Sequence, residues 1–418
     1  MSYPGREPIL VVGAGIAGVT TALEAAEAGQ QVILVEREPT IGGRALRMHN
    51  YFPKLCPPAC GMEINSRRLE KNPRIRVLTH AHVTRSEKIG AAWSVTVQHA
   101  AEHVNVRCTA CGDCAKVCPA KIDDSFNLGM RQVTAVRLPH VGAWPRCFVL
   151  DRTACPEGCK QCVEACKYKA IDLDAQPTKE TLTVSAVVFA TGWRPYPIDK
   201  LEALGGGRLT DVIANVQMER LAAPDGPTGG KILRPSDKTP PKRVAFVQCA
   251  GSRDMNHLPY CSAVCCLASL KQATYVKEQL KDAEVTIYYI DRRTPGRNEE
   301  MLTEVAAMAG VKLVKGKVGK VEAAPDGALK LFVEDAEAAL VLDARADLVV
   351  LATGMVPSRS AEEDGFGLKH DEDGFGLDSV EERLFVAGVS KRPEDVAASV
   401  RDATGAAARA MAVAARSA

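Results

Sequence analysis

Fifteen cysteines stand out in this 418-residue chain, and they are not scattered. They fall at 56 and 60, between 108 and 118, at 147, between 155 and 166, and between 249 and 266. Tight clusters in a chain of this length, with no apolar secretory run in residues 1–8, point to metal rather than to disulfides. Cys108-x2-Cys111-x2-Cys114-x3-Cys118, closed by Pro119, has the spacing that holds 4Fe–4S clusters. Three close thiolates cap one face of a cubane, and the fourth thiolate of such a run serves a second cluster. The partner run is Cys155-x3-Cys159-x2-Cys162-x3-Cys166, with one extra residue in its first gap. The expected exchange joins Cys108, Cys111 and Cys114 with Cys166, and Cys155, Cys159 and Cys162 with Cys118. Structural zinc favours CxxC pairs separated by a long loop, so it fits two such runs poorly. Cys147 belongs to neither run and reads as a buried small residue.

A third quartet, Cys249, Cys261, Cys265 and Cys266, follows an apolar strand-like run at 244–248 and ends where a helix is expected over 267–280. With a further strand expected at 285–291, this is a βαβ-like unit without a GxGxxG turn. It therefore lacks a glycine cradle for a nicotinamide nucleotide and offers four thiolates at the strand end instead. A 4Fe–4S cluster is the expectation, and a redox-active disulfide is the competing one. Cys56 and Cys60 read as a dithiol, as further ligands or as inert side chains. His257, inside the third cysteine loop, is expected to donate a local hydrogen bond rather than to bind metal.

The elements that must position these groups begin at the N-terminus. An apolar run at 9–12 leads into Gly13, Ala14, Gly15, Ile16, Ala17 and Gly18, then an Ala-rich helical stretch at 19–28 stopped by Gly29, then a strand at 31–35 ending in Glu36. Strand, glycines, helix and acid make this a dinucleotide fingerprint. Gly13 permits the turn, Gly15 the approach of a pyrophosphate to the helix N-terminus, and Gly18 close helix–strand packing. Glu36 is placed to accept from ribose hydroxyls. Arg37, then Ile41, Gly42, Gly43 and Arg44, resemble the second FAD contact of the two-dinucleotide-domain flavoproteins. Their small-residue turns match Ala190, Thr191 and Gly192, and again Ala352, Thr353 and Gly354. Residues 385–400, with Gly388, resemble their flavin-contacting closing segment. One departure is that many of these proteins carry Asp after the closing glycine, to hold the ribityl chain, where this chain has Val389.

The expected fold is α/β, a Rossmann-like, thioredoxin-reductase-like flavoprotein with an inserted ferredoxin-like domain of two 4Fe–4S clusters. Its expected parts are an FAD-binding domain in three pieces (1–100, 176–241 and 344–418), the insert (101–175) and a second nucleotide-domain-like unit carrying a cluster (242–343). Residues 222–242, rich in Pro, Gly and Lys, read as a loop or linker. The expected cofactors are thus FAD and three 4Fe–4S clusters. A formal net charge of +2 with interspersed signs gives no footprint for nucleic acid. No uncharged apolar stretch reaches bilayer-spanning length. No acid–base or nucleophilic constellation stands out.

Residues 249–266 (CAGSRDMNHLPYCSAVCC) resemble the cluster motif of the heterodisulfide reductase A-subunit family, and an inserted ferredoxin between FAD halves resembles that family too. Segments 51–65, 110–119, 226–237 and 268–279 are similar to one branch, the A-type subunits of quinone-interacting membrane-bound oxidoreductase complexes, and so is the presence of a single ferredoxin module. That resemblance implies a second flavin/iron–sulfur subunit and a haem b membrane subunit as partners, with APS (adenylylsulfate) reductase as electron partner and menaquinone at the other end. It implies a cytoplasmic chain brought to the membrane by its partners, and it leaves flavin-based bifurcation open. The competing classes are a flavin subunit of another soluble complex of the heterodisulfide reductase type, a stand-alone NAD(P)H-dependent flavoenzyme, a non-catalytic relay subunit and a zinc-stabilised FAD protein.

Overall fold

The run Ile9–Val12 is buried at every position. That suits a central parallel strand, which has no solvent face and so no alternation of polar residues. It pairs in parallel with Val32–Val35 on one side and Ala186–Phe189 on the other, with Ile9 opposite Val32 and Ala186. Ile75–Leu78 and Leu384–Val386 complete a five-stranded parallel sheet. The structure, a computed structural model, describes residues 7–336, 340–359 and 361–415. One face of the sheet is covered by helices Ile16–Glu27 and Val396–Ala414, through alanines that let helix and sheet approach closely. A three-stranded antiparallel sheet covers the other face with Val83, Trp93, Val95, Val97 and Val184.

A second, seven-stranded sheet runs in the order Val212–Ala214, Leu348–Thr353, Arg243–Ala250, Glu284–Tyr289, Val311–Ala323, Leu329–Asp335, Leu340–Ala346. Its first four pairings are parallel, and the last two form an antiparallel meander. Helices Asn215–Ala222, Cys265–Gln279 and Asn298–Ala306 pack on one face around Phe246, Leu270, Val276 and Met301. The strands at 212–214 and 348–353 belong to this sheet, whereas their sequence position suggests the first unit. Both are short apolar runs that local pattern alone cannot allot to either sheet. A two-stranded antiparallel ribbon, Trp193–Pro195 with Met355–Pro357, carries the chain between the units. Among the described residues no helix is long and apolar enough to cross a membrane.

The cysteine-rich segment leaves strand Ala92–His99 and returns on strand Thr178–Val184, and His99 and Thr178 are register partners. The chain can therefore enter and leave the segment without disturbing the sheet. Its small core is built from Cys114, Ala120, Ala135, Val136, Phe148, Leu150, Cys162 and Ile171. Two contacts dock it. Arg220, 1 % exposed, donates to Asn127 Oδ1 (2.8 Å), to Asp225 Oδ1 (2.6 Å) and to the carbonyl of Arg47 (3.3 Å), and lies over the Phe126 ring. One guanidinium thus ties the insert to both units. His140 stacks on Phe126 and sits 3.1 Å from Thr40 Oγ1, while Ile41 N–H donates to the Trp144 carbonyl at 3.0 Å.

Replacing Arg220 by Ala strands buried partners and should cost roughly 3–5 kcal/mol. Urea unfolding reads the loss, and limited proteolysis should cut the insert first. Burial lowers the His140 pKa from 6.5 to about 4. The unfolded chain therefore takes up this proton before the folded one. The contribution of a neutral His140 is whole above pH 6.5 and is lost as pH falls toward 4. The melting temperature should drop across that window, and His140→Gln should flatten the drop.

Candidate functional site

Gly13 turns the chain at φ +98°, and a Cβ there would lie 2.5 Å from the Ala190 carbonyl oxygen. A Cβ on Gly18 would lie 1.8 Å from the Gly13 oxygen, so helix and turn are in contact. Gly42 N–H donates to the Ala14 carbonyl at 2.8 Å, which brings the 42–43 loop against Gly15. Glu36 accepts from Ala14 N (2.6 Å) and Glu38 N (2.8 Å), and burial raises its pKa. Each of its oxygens still has a lone pair for a ribose hydroxyl.

These residues form one end of a cavity of about 410 Å³. Gly13, Gly15, Ile16, Ala17, Glu36, Arg37, Gly43, Arg44, Ala190, Thr191 and Gly192 line it. Gly18, Gly42 and Gly388 stand behind this wall, although Ala387 and Val389 reach it. Ala352, Thr353 and Gly354 do not line it. Their turn ends a strand of the second sheet and faces the third cysteine loop. There Gly354 meets Leu258, Ser262 and Ser252, and the Cys265 thiol donates to the Thr353 carbonyl at 3.6 Å. The expected FAD contact at this second turn is therefore replaced by support of the cysteines.

The far end of the cavity comes from residues assigned no site role from sequence: Phe52, Asn215, Glu219, Val264, Ala268, Lys271 and Gln272. Lys271 and Glu219 are buried together, Nζ to Oε1 at 3.0 Å. Glu219 also accepts from Gln272 Nε2 (2.7 Å) and His49 N–H (2.9 Å), and Lys271 donates to the Asn50 carbonyl (2.6 Å). Two buried acceptors at the cavity wall, Gln272 Oε1 and Glu394 Oε1, have no partner among the described residues. Orphaned polar atoms, a glycine-lined turn and a helix N-terminus fit an elongated dinucleotide such as FAD.

The third quartet stands behind the same wall, next to Val264 and Ala268. Cys249 lies at φ +54° beside a register shift in strand Arg243–Ala250, so the strand bulges where its thiol is presented. Cys265 and Cys266 start the helix that carries Ala268, Lys271 and Gln272 to the cavity. Val264, next to Cys265, lines the cavity, and Ala268 follows less than one helical turn after the two thiols. Cys261 and Cys249 stand close enough to Cys265 to act on it electrostatically, and burial pushes the Cys249, Cys265 and Cys266 thiols up. Arg253 hydrogen-bonds Cys249 and pairs with Asp291 at 2.7 Å, and Ala263 N–H donates to Cys261 Sγ at 3.4 Å. His257 pairs with the Tyr196 hydroxyl at 2.8 Å.

In the insert, Cys108 and Cys111 act on Cys114, and Cys155, Cys118 and Cys159 act on Cys162. Cys118 thus stands with the second run. Cys166 Sγ accepts from Ala170 N–H at 3.3 Å, and Cys108 Sγ from Ala110 N–H at 3.4 Å. Such N–H···S bonds suit cluster thiolates. Among the described residues no three His, Cys, Asp or Glu side chains converge as around a single ion. In a cubane each thiolate meets its own iron, so its ligands stand further apart. Cys147 is half-buried rather than buried, its thiol donates to the Val104 and Asn105 carbonyls at 3.7 and 3.8 Å, and burial pushes that thiol up to about 12. Cys56 and Cys60 are exposed at the start of helix Pro58–Lys71, outside the cavity.

Residues 8–53 match the profile of the FAD-dependent oxidoreductase family. Over 416 residues and 96% of its length the chain is 36% identical to the A-type subunit of the H(2):CoB-CoM heterodisulfide,ferredoxin reductase of Methanothermobacter marburgensis, of which it spans 63%. It is 37% identical over 361 residues to the A-type subunit of the ferredoxin/F(420)H(2)-dependent CoB-CoM heterodisulfide reductase of Methanosarcina acetivorans, covering 85% of this chain and 45% of that one. The chain is a homologue of the A-type subunits of heterodisulfide reductases. It spans less than two thirds of these relatives. Thioredoxin reductase of T. acidophilum shares the fold at a TM-score of 0.53 and 13% identity, with 98% of each chain covered. Bacillithiol disulfide reductase Bdr of Bacillus cereus does so at 0.53 and 14%, covering 99% of this chain and 100% of that one. The similarity to these subunits extends over nearly all of this chain, and the FAD-dependent oxidoreductase match falls on its first strand–turn–helix and the loop after it.

Lys271→Met leaves Glu219 charged and buried, and should cost roughly 3–5 kcal/mol in urea unfolding. The double variant Lys271→Met with Glu219→Leu should recover most of that loss.

Proposed function

We propose that the chain is the FAD- and iron–sulfur-carrying electron-transfer subunit of a multi-subunit oxidoreductase complex, similar to the A-type subunits of heterodisulfide reductases, with three 4Fe–4S clusters. The observation that carries this reading is the single helix Cys265–Gln279, which starts with two thiols and lines the dinucleotide cavity within two turns. FAD exchanges electrons singly or in pairs and a cubane one at a time, so their pairing supplies a point where two-electron and one-electron traffic meet. The chain's own residues do the rest. Gly13, Gly15 and the N-terminus of helix Ile16–Glu27 seat the pyrophosphate, and Glu36 takes the adenosine ribose. Cys249, Cys261, Cys265 and Cys266 hold the cluster nearest the cavity. The two quartets of the insert carry electrons onward to a partner surface. The second unit offers no nicotinamide cradle, which argues against an NAD(P)H-dependent enzyme.

A narrower reading rests on the similarity of segments 51–65, 110–119, 226–237 and 268–279 to the quinone-interacting branch. In it, electrons pass between menaquinone and APS reductase, through a second flavin/iron–sulfur subunit and a haem b membrane subunit, and the chain reaches the membrane only through those partners. If so, the intact complex should show its clusters reduced by a menaquinol analogue. Reduction by other donors alone would leave the general reading and remove the narrower one.

Anaerobic iron, sulfide and flavin analysis with EPR after reduction tests the general reading. About one FAD and about twelve irons are expected, at four thiolates per cubane. Cys265→Ala should lower iron by about four while FAD stays bound. About eight irons in the native chain would mean the 249–266 quartet holds no cluster, and zinc in place of iron would overturn electron transfer altogether.

A further inference from the structure

The closing segment has no acid directly after Gly388, where comparable flavoproteins hold the ribityl chain. The nearest acids in the fold are not equivalent. Asp402 is committed, because its Oδ2 accepts from Gly388 N–H at 2.9 Å. Asp395 also lines the cavity, but its carboxylate caps helix Val396–Ala414 by accepting from Ala398 N–H at 2.7 Å. Glu394 is different. It is 7 % exposed and lines the cavity, and its Oε2 faces Arg392 Nε at 3.4 Å. Its Oε1 is buried and meets no donor among the described residues. A buried carboxylate oxygen without a donor is costly, so its presence at a ligand cavity points to a donor supplied by the ligand.

Position narrows which part of the ligand that is. The Ser399 hydroxyl faces the Glu394 carboxyl as a donor without coming within hydrogen-bond distance of Oε1, and Ser399 also lines the cavity. A Cβ on Gly388 would meet Ala17 Cβ at 2.7 Å and Ser399 Cβ at 3.6 Å, so Glu394, Ser399 and the first turn of helix Ile16–Glu27 are neighbours. That turn is the pyrophosphate seat. An acid beside it would repel a phosphate but can accept from hydroxyls next to one. The adenosine ribose is already served by Glu36, which is held to the glycine turn through Ala14 N–H. We propose that Glu394 accepts hydrogen bonds from the ribityl hydroxyls of FAD, so that an acid six residues after Gly388 does the work of the missing one.

The inference rests on FAD being the cofactor. Its test measures FAD affinity of the deflavinated chain by flavin fluorescence, with ADP as competitor. Glu394→Ala should weaken FAD roughly ten- to hundredfold, the range for a hydrogen bond to a charged group, and leave ADP affinity unchanged. Glu394→Gln, which keeps an acceptor oxygen and the side-chain volume, should lose less than the Ala variant. FAD affinity within twofold of native in both variants would overturn the assignment. A parallel fall in ADP affinity would do the same, by showing a general collapse of the site. A native chain that binds ADP but not FAD would overturn the cofactor reading itself.

Discussion

A buried charge must find its opposite within a few ångströms, and in this protein that requirement sets how the two nucleotide-type units meet. Lys271 and Glu219 are nearly inaccessible and lie on different helices of the second unit. Neither offsets its desolvation through the pair alone. Lys271 also needs the Asn50 carbonyl, and Glu219 also needs His49 N–H and Gln272. The Asn50 and His49 partners come through the 48–52 stretch, which continues from the Gly42–Gly43 loop of the first unit. Satisfying the ion pair therefore fixes the position of the first unit's loop on the second unit's helices, and the cavity between them takes its shape from that fit.

The same helix joins that network to the third quartet, which constrains its chemistry. Burial raises the Cys249, Cys265 and Cys266 thiols, so free thiolates are disfavoured there. A cluster bound there would compensate what solvent does not, and its binding would release protons. Arg253 at Cys249 and the Ala263 N–H at Cys261 place positive potential beside the ligands. Groups of that kind favour the more negative, reduced state of a cluster. The protein tunes the site through second-sphere groups that lie in the same loop as the cysteines.

Features that rest on neighbours along the chain are legible in the residues themselves. The strand Ile9–Val12 matches its apolar run residue for residue, because a buried parallel strand needs no partner to announce itself. The GxGxxG turn and the cysteine runs are equally local. What the residues do not announce is long-range. The small-residue turn after Leu348–Thr353 points to the first unit, yet the strand hydrogen-bonds to Arg243–Ala250 in the second sheet. Two turns of similar composition serve different partners, and composition does not say which. The Lys271–Glu219 pair joins two helices that are separate in sequence, and it has no motif. Cys147 stands alone in the sequence because its partners, the Val104 and Asn105 carbonyls, are remote along the chain.

The second unit lacks the turn that a nucleotide site needs and has a cysteine loop in its place. A pyrophosphate needs a tight glycine turn between strand and helix, so that free N–H groups of the helix face it. Here the strand instead bulges at Cys249, and positive φ recurs at Gly251, Arg253 and Ala263 before the helix begins. The loop is too long and too irregular to cradle phosphates, but it has the length to swing Cys261 back toward Cys265. Ser252 and Ser262 hold it down through each other and through Met355 N–H. Met355 opens the ribbon that leads back to the first unit. The cysteine loop is thus tied to the ribbon that joins the two units, and Met355, where that tie is made, also lines the cavity.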